Sequence, residues 1–552
     1  MHGRIGLSNW KDLFLLGSCC VLFVLLSSNL ESRDNATQTL EDAHIHYKYS
    51  LNLARGNGLV YNADDPVESY SNLLWVLLLG GFMTLGLGPV LISTVLSLVS
   101  GVLLFLYLWR RSIRGGNQEY PTWASLLLLF ALGTNHYFTA WVLGGFETIM
   151  FALLVTLTVL ETVDDFRRGT DRWALVLLVI LCYLTRAEGA SVLGFYVGTK
   201  ALQYHRQRRT LGRFLVRVVV PLASTVVGII LLRYAYYGLP FSNVYYSKCF
   251  QLNYFSGVTY LHSFLADVGP FLLVLGAVPL LAIALVGQRE LRLLAAFVVL
   301  WPLQHVLTSG DYWPYYRYYA PVLPLLFYVA VRGMLLVPRL YPHPLTRPLG
   351  PLLLVLFVLG WQLHPVAGAA SHVNLTYRFG TLYDFRGLYL EKELGKDEKT
   401  LNLRNLGQWL YDHTPPGSVV AMEAVGLTGF YSDRIVLDYL GLMNADIAQL
   451  NEPGKAIEYT MARRPDNIVL HLYDTPAELA GTPTMELGRF LVAHPDFQAD
   501  YALAIRLPFK RGEMRHFTML PPELTSAATN TSMAVYRRIE PTETIPGIGL
   551  PE

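Results

Sequence analysis

Charge is what this sequence has least of. Only 15% of its 552 residues are Asp, Glu, Lys or Arg, against roughly 25% in soluble domains, so most of the chain lacks an ordinary hydrated surface. The 43 basic and 41 acidic residues leave a net charge of 43 − 41 = +2, which argues against a nucleic-acid or other polyanion binder. Cysteine is scarce as well. The four, at positions 19, 20, 182 and 249, lie in or beside apolar stretches, and they imply neither a disulfide framework nor a zinc site. There is no internal repeat, low-complexity tract or coiled-coil heptad.

Apolar residues fill the gap, at 53% of the chain. Runs of about 20 residues cross a hydrocarbon core of roughly 30 Å as helices, and such runs recur from residue 12 until they stop near 364. The expected spans are 12–30, 89–109, 122–138, 147–162, 172–185, 190–204, 214–233, 264–286, 291–307, 319–337 and 349–364, about 11 transmembrane helices in all. The first has a basic flank, Arg4 and Lys11, and no small-x-small cleavage site, and it reads as an uncleaved anchor with a cytoplasmic N-terminus.

Residues 71–85 (SNLLWVLLLGGFMTL) are also apolar. Counting them as a span would put Arg110, Arg111 and Arg114 outside, against the positive-inside rule. As a short interfacial helix instead, they bring every strongly basic loop (RRSIR, FRRGTDR, HRQRRTLGR, GQRELR, PRLYPHPLTR) to the cytoplasm. The C-terminus then lies outside. Residues 1–365 form the membrane domain, and 366–552 regain ordinary polarity as a separate extracytoplasmic α/β domain. There, 399–414 and 455–464 fit amphipathic helices, 418–424, 434–440 and 467–473 fit strands, and the Pro/Gly-rich tail begins at Thr542.

On this topology the unusual polar residues collect outside. The first outer loop holds Glu41, Asp42, His44 and His46, and the second Asn135 and His136, with Glu147 just beyond. Arg186 and Glu188 follow in TRAEG, Lys248 ends an aromatic loop, and Asp311 and Arg317 stand in SGDYWPYYRYY. An ionisable group at membrane depth costs about 2.5–3.5 kcal/mol on insertion scales, so convergence on one face points to a polar site. Charges at helix ends also snorkel to headgroups, and Tyr and Trp form interfacial belts on any membrane protein.

Glu41-Asp42 is the sharpest feature, a carboxylate pair suited to a general base. If the segment is helical, Asp42 and His46 share a face one turn apart, and Gly56 or Gly58 ends the helix. The alternation from Ala43 to Leu53 fits a strand equally. Asp42, His44 and His46 would also suit Mn or Zn, so a divalent metal stays open without being required. Arg317 and Arg186 are the best anion binders, since guanidinium grips phosphate bidentately. Competing roles for them are ion pairs, Arg186 with Glu188 or Glu147 and Arg317 with Asp311.

The order and spacing of LEDAHIHYKYSLNLARGNGLVYN, VESYSNLLW, GGFET, TRAEG, SGDYWPYYRYYAPVLP and PPGSVVAMEAVGLTGFYSDRIVLDYLGL resemble the glycosyltransferase C (GT-C) superfamily, in the bacterial branch that includes mycobacterial terminal arabinofuranosyltransferases. The resemblance covers most of the chain. It implies a polytopic helical enzyme of the cytoplasmic membrane, serving cell-envelope synthesis, with interfacial helices at 42–55 and 71–85. It further implies inverting transfer of a sugar, such as arabinofuranose, from a polyprenyl-phosphate donor to a glycan or glycolipid acceptor. Asp42 takes the place of the catalytic base, with Glu41 second. The candidate donor-phosphate and substrate contacts are Arg317, Arg186, Lys248, His46, His136, Asp311 and Glu147, and Tyr431, Asp433 and Asp438 are candidate acceptor contacts that core packing explains equally well. Two departures, Ala187 where Pro is common and Ser309 where Gly is, bear on the sugar, not on the chemistry. The rival reading is a transporter or flippase of lipid-linked sugars, which would place ionisable groups or broken helices near the membrane midplane.

Overall fold

The computed structural model describes residues 10–27, 40–113, 121–249, 254–308, 310–311, 316–363, 398–450, 452–474, 480–483, 485–509 and 531–539. Ser309 and the tail from Thr542 lie outside them. Packing divides the chain into two units. One comprises Met1–Thr39, Ser71–Leu232 and Gln251–Leu394, the other Leu40–Tyr70, Arg233–Phe250 and Gly395–Glu552. The second unit takes in two segments, 40–70 and 233–250, that polarity alone assigns to the membrane part.

The first unit is helical. Each expected span meets a helix, among them Trp10–Ser27, Pro89–Ile113, Thr148–Arg168, Trp173–Thr185, Gly189–Arg206, Arg289–Leu307 and Leu349–Leu363. Among the described residues five helices are long and apolar enough to cross a membrane: Pro89–Arg111, Leu211–Tyr237, Val268–Val286, Arg289–Leu307 and Ala320–Arg339. Others are shorter than the sequence suggests. The run expected at 122–138 ends at Gly133, because Asn135 turns the chain and its Oδ1 accepts the Phe138 N–H (3.1 Å), starting the short helix His136–Thr139. The Tyr254–Val286 helix is broken at Gly269, whose φ of 75° suits glycine and is followed by Pro270, which has no N–H to give. The break falls at the start of the Val268–Val286 span and not at its middle. Leu73–Met83 is the short apolar helix expected at 71–85.

At one end of this unit the basic loops are tied down. Lys200, fully buried, donates to Asp165 (2.9 Å) and Asp171 (3.2 Å). Arg111 bonds Asp164 (3.1 Å) and Arg172 bonds Glu161 (2.7 Å). These pairs join the ends of Pro89–Ile113, Thr148–Arg168 and Gly189–Arg206.

The second unit is built on a five-stranded mixed sheet in the order β2-β1-β3-β5-β4, with β1 Val419–Met422, β2 Ile435–Asp438, β3 Asn467–Tyr473, β4 Tyr501–Phe509 and β5 Thr531–Arg538. β1 runs parallel to β2 and β3, while β5 pairs antiparallel with β3 and β4. The alternation of NIVLHLY sends Ile468, Leu470 and Leu472 to one face, where Ile457, Met461, Leu491 and Phe497 of the covering helices complete a core. The first three strands stand where the sequence suggests, and β4 and β5 are additional. The amphipathic helices are Glu398–His413 and Pro453–Ala462.

Candidate functional site

The candidate residues fall into two clusters, one in each unit. In the second unit, residues 43–54 settle as a helix, not a strand. Eight of its twelve residues are buried, on all sides, so the period-2 pattern of the sequence has no exposed face to match. The helix ends as glycine allows, with Gly56 and Gly58 at φ 85° and 88°, and Asn52 Nδ2 closes the following loop on the carbonyls of Val60 (2.9 Å) and Tyr61 (2.7 Å).

Asp42 is the N-cap residue of this helix, half-buried, and its carbonyl accepts the Ile45 N–H at 3.2 Å. His46, also half-buried, follows one turn later on the same side. Glu41 has a structural task. Its Oε1 accepts the Gly426 N–H (2.9 Å), tying the segment to the loop after β1. Lys48 and Arg55 both donate to Asp433, at 2.7 Å and 3.0 Å. Burial alone would raise the Asp433 pKa, yet the hydrogen bonds from Arg55 and Lys48 outweigh it and bring it down to about 2.

The residues expected to meet an acceptor belong to this same packing. Tyr431 lies 5.8 Å from the His44 ring and under the Arg404 guanidinium. Asp438 is buried, accepts the N–H groups of Leu440 and Met443 (both 2.8 Å), and is pushed by burial up to about 6. His44 does not join Asp42 and His46 as one ligand set. Its ring is enclosed by Tyr47, Phe430 and Tyr431, its Nδ1 lies 3.1 Å from the Leu40 carbonyl, and burial lowers its pKa to about 4. Among the described residues no three His, Cys, Asp or Glu side chains gather as a metal-binding group. Lys248 lies in the Asn243–Cys249 helix and His136 starts His136–Thr139, but both side chains lie outside the described atoms.

In the first unit, Glu147, Arg186, Asp311 and Arg317 form a cluster. Glu147 precedes the Thr148–Arg168 helix, and Arg186 and Glu188 form the turn between Trp173–Thr185 and Gly189–Arg206. Arg186 donates to Glu147 (2.6 Å) and Glu188 (2.9 Å), and Arg317 to Asp311 (2.9 Å). Asn72 Nδ2 reaches the other Glu147 oxygen at 2.5 Å. Both guanidiniums stand 5.3 Å from the centre of the Tyr318 ring, and Arg317 also lies 4.7 Å over Phe146. Burial opposes the charge of Arg186, and Glu188 and Glu147 more than restore it. Burial would likewise raise Glu188, but Arg186 and His305 hold it at about 2.

Sequence reasoning missed three members of this cluster. Tyr318 lies beneath both arginines, with its carbonyl accepting the Trp301 indole N–H (2.9 Å). His305 stacks on Tyr318 at 4.8 Å, and its buried Nε2 has no hydrogen-bond partner among the described residues. Asn72 orients Glu147. The signal for His305 was a lone histidine at the end of an apolar span, one turn before SGD. Two guanidiniums here face three carboxylates, which an incoming anion would compete with. Arg317 pairs with Asp311, and Arg186 is shared by two carboxylates.

The chain was compared with known proteins. The archaeal oligosaccharyltransferase AglB from Archaeoglobus fulgidus, solved with an inhibitory peptide and a dolichol-phosphate, matches with a TM-score of 0.51 at 11% identity over 96% of this chain and 88% of that one. The apo form of the Archaeoglobus fulgidus oligosaccharyltransferase gives 0.53 at 11% over 96% and 89%. ArnT from Cupriavidus metallidurans bound to undecaprenyl phosphate gives 0.50 at 14% over 87% and 96%. The fold is of the GT-C type. A domain of unknown function (DUF8728) matches residues 391–536, and no curated protein matches the sequence.

Proposed function

We propose that the protein is a GT-C membrane glycosyltransferase that moves a sugar from a polyprenyl-phosphate donor to a hydroxyl of a glycan or glycolipid acceptor on the outer face of the cytoplasmic membrane, with inversion. The observation that carries this reading is the buried pair of guanidiniums over one tyrosine ring, Arg186 and Arg317 on Tyr318, within a fold whose solved neighbours hold a dolichol-phosphate and undecaprenyl phosphate.

Asp42 acts as the base. Its carboxylate takes the acceptor proton as the hydroxyl oxygen bonds to the anomeric carbon. The bond from that carbon to the phosphate oxygen breaks on the opposite face, and its electron pair leaves with the polyprenyl phosphate. An alcohol is far less acidic than a carboxylic acid with a pKa of about 3.9, so proton transfer accompanies attack. The leaving phosphate gains negative charge and calls for fixed positive charge. Arg317 exchanges Asp311 for that phosphate, and Arg186, held by two carboxylates, supplies field and position. The likeness of the sequence to arabinofuranosyltransferases supports a pentofuranose, arabinofuranose first. The chemistry uses no step that depends on a metal.

The test incubates the purified protein in detergent or nanodiscs with a panel of polyprenyl-phosphate pentoses and hexoses and a glycan acceptor library. A glycosylated product with inverted anomeric configuration from one donor class supports the reading. Movement of intact donor across vesicles without any product would favour transport instead.

A further inference from the structure

We infer that a groove between the Gly189–Arg206 and Arg289–Leu307 helices of the first unit is a binding site for an anionic phospholipid, separate from the Arg186–Arg317 cluster. The groove encloses about 390 Å³ and is lined on one side by Ser191, Gly194, Phe195, Gly198 and Leu202 and on the other by Leu293, Phe297, Leu300 and Trp301. Its lining is mostly apolar, and one helix leaves room by presenting glycines. A Cβ placed on Gly194 or Gly198 meets nothing within 4 Å, so the missing side chains leave real space.

The two helices run antiparallel, as the Phe195–Phe297 ring contact at 4.9 Å and the Ser191–Gln304 hydrogen bond require. Ser191 and Leu202 are eleven residues apart, about 16 Å at 1.5 Å per residue, close to half of a hydrocarbon core roughly 30 Å thick. The groove therefore suits one chain of one leaflet. Its far end is basic on both walls. Arg206 follows Leu202 by one turn, and Arg289 and Arg292 precede Leu293 and Ala296 by one turn, so each continues the lining stripe of its helix. All three are exposed, and none is held in an ion pair among the described residues. Arg206 rests on the Phe166 ring. Nearby Arg111, Arg172 and Arg209, by contrast, are each bound to a carboxylate. An apolar slot half a bilayer long that ends in three uncommitted guanidiniums fits a fatty acyl chain with a phosphate head. The Arg186 cluster stands at the opposite ends of these helices, which separates this head from the donor phosphate.

The experiment is native mass spectrometry of the full-length protein in detergent, titrated with phosphatidylglycerol, phosphatidylcholine or polyprenyl phosphate. Phosphatidylglycerol is expected to bind at least tenfold more tightly than phosphatidylcholine, with one retained copy. Gly198→Leu fills the slot, and the triple change Arg206→Gln, Arg289→Gln, Arg292→Gln removes the head contacts; each is expected to abolish that copy, while Arg213→Gln with Arg217→Gln leaves it. Equal binding of the two phospholipids, or retention of the bound copy in Gly198→Leu, overturns the inference. So does a Gly198→Leu variant that loses polyprenyl phosphate and keeps phosphatidylglycerol, because the slot then holds the donor tail. Lipid binding is read without turnover, so it stands or falls apart from the transfer reaction.

Discussion

Asp433→Asn tests how the segment carrying Asp42 is held to the sheet unit. The substitution keeps the shape of the side chain and removes the charge that both Lys48 and Arg55 grip. Arg55 is 46% exposed, and an exposed pair of this kind is worth about 0.2–1 kcal/mol. Lys48 is 5% exposed. Leaving a buried ammonium without its carboxylate costs about 3–5 kcal/mol when the charge is kept, and Lys48 can release part of that by losing its proton, since burial already lowers its pKa. A loss of about 2–3 kcal/mol follows. It should appear as a fall of about 30-fold or more in hydrogen-exchange protection of the Ala43–Ala54 amides at pH 7.

The pH dependence gives a second check. Asp433 titrates at about 2 in the folded protein, below its ordinary 3.8, so its contribution is present above pH 4 and is lost as the pH falls from 4 to 2. The full linkage, 1.8 units at about 1.36 kcal/mol each, is about 2.4 kcal/mol, and because a third of the side chain is exposed roughly 1–1.5 kcal/mol is expected after screening. The gap between wild type and variant should therefore narrow by about that amount toward pH 2. Equal protection of the two proteins at pH 7, or a gap that persists unchanged at pH 2, would refute the reasoning.

Gly426→Ala drives a Cβ into the backbone carbonyl of Glu41; overpacking of this kind costs about 1–3 kcal/mol, and limited proteolysis should cut the 40–70 segment faster. Lys200→Met removes the buried ammonium that donates to Asp165 and Asp171 while Arg172 still holds Asp165; a loss of about 1.5–3 kcal/mol and a lower melting temperature in detergent are expected. Arg317→Lys keeps the charge and loses the planar fork; with a polyprenyl-phosphate donor, turnover should drop by about tenfold or more, and an unchanged rate would remove Arg317 from the phosphate site.

The membrane part was legible because burial in lipid leaves a coarse mark, an apolar run of the right length, which five helices among the described residues carry in full, while 71–85 forms the shorter apolar helix Leu73–Met83. The mark does not carry helix ends. Gly133 and Gly269 shorten or break helices inside continuous apolar stretches, where hydropathy is blind to a local turn. The Ala43–Ala54 helix was undecidable since its residues fit period 2 and period 3.6 alike, and burial on all sides, which decides the matter, depends on the rest of the unit. The site was legible in part. TRAEG and SGDYWPYYRYY pointed to Arg186 and Arg317, and the spacing allowed the ion pairs they make. Contacts between distant segments were not readable: Glu41 meets Gly426 and Lys48 meets Asp433 across 385 residues in each case. For the same reason the hydrogen bond from the Gly426 N–H to Glu41 was not foreseen. β4 (YALAIRLPF), at the sheet edge, and β5 (TSMAVYRR), between β3 and β4, were missed because neither alternates apolar and polar residues strictly enough to stand out.

The assignment of Asp42 as base is tested most directly by the turnover of Asp42→Asn with a polyprenyl-phosphate sugar and its acceptor, measured beside donor binding in the same preparation. General-base catalysis contributes about 10²–10⁴-fold, so turnover is expected to fall by that factor while the donor still binds within a few-fold of wild type. A rate within threefold of wild type would contradict the account.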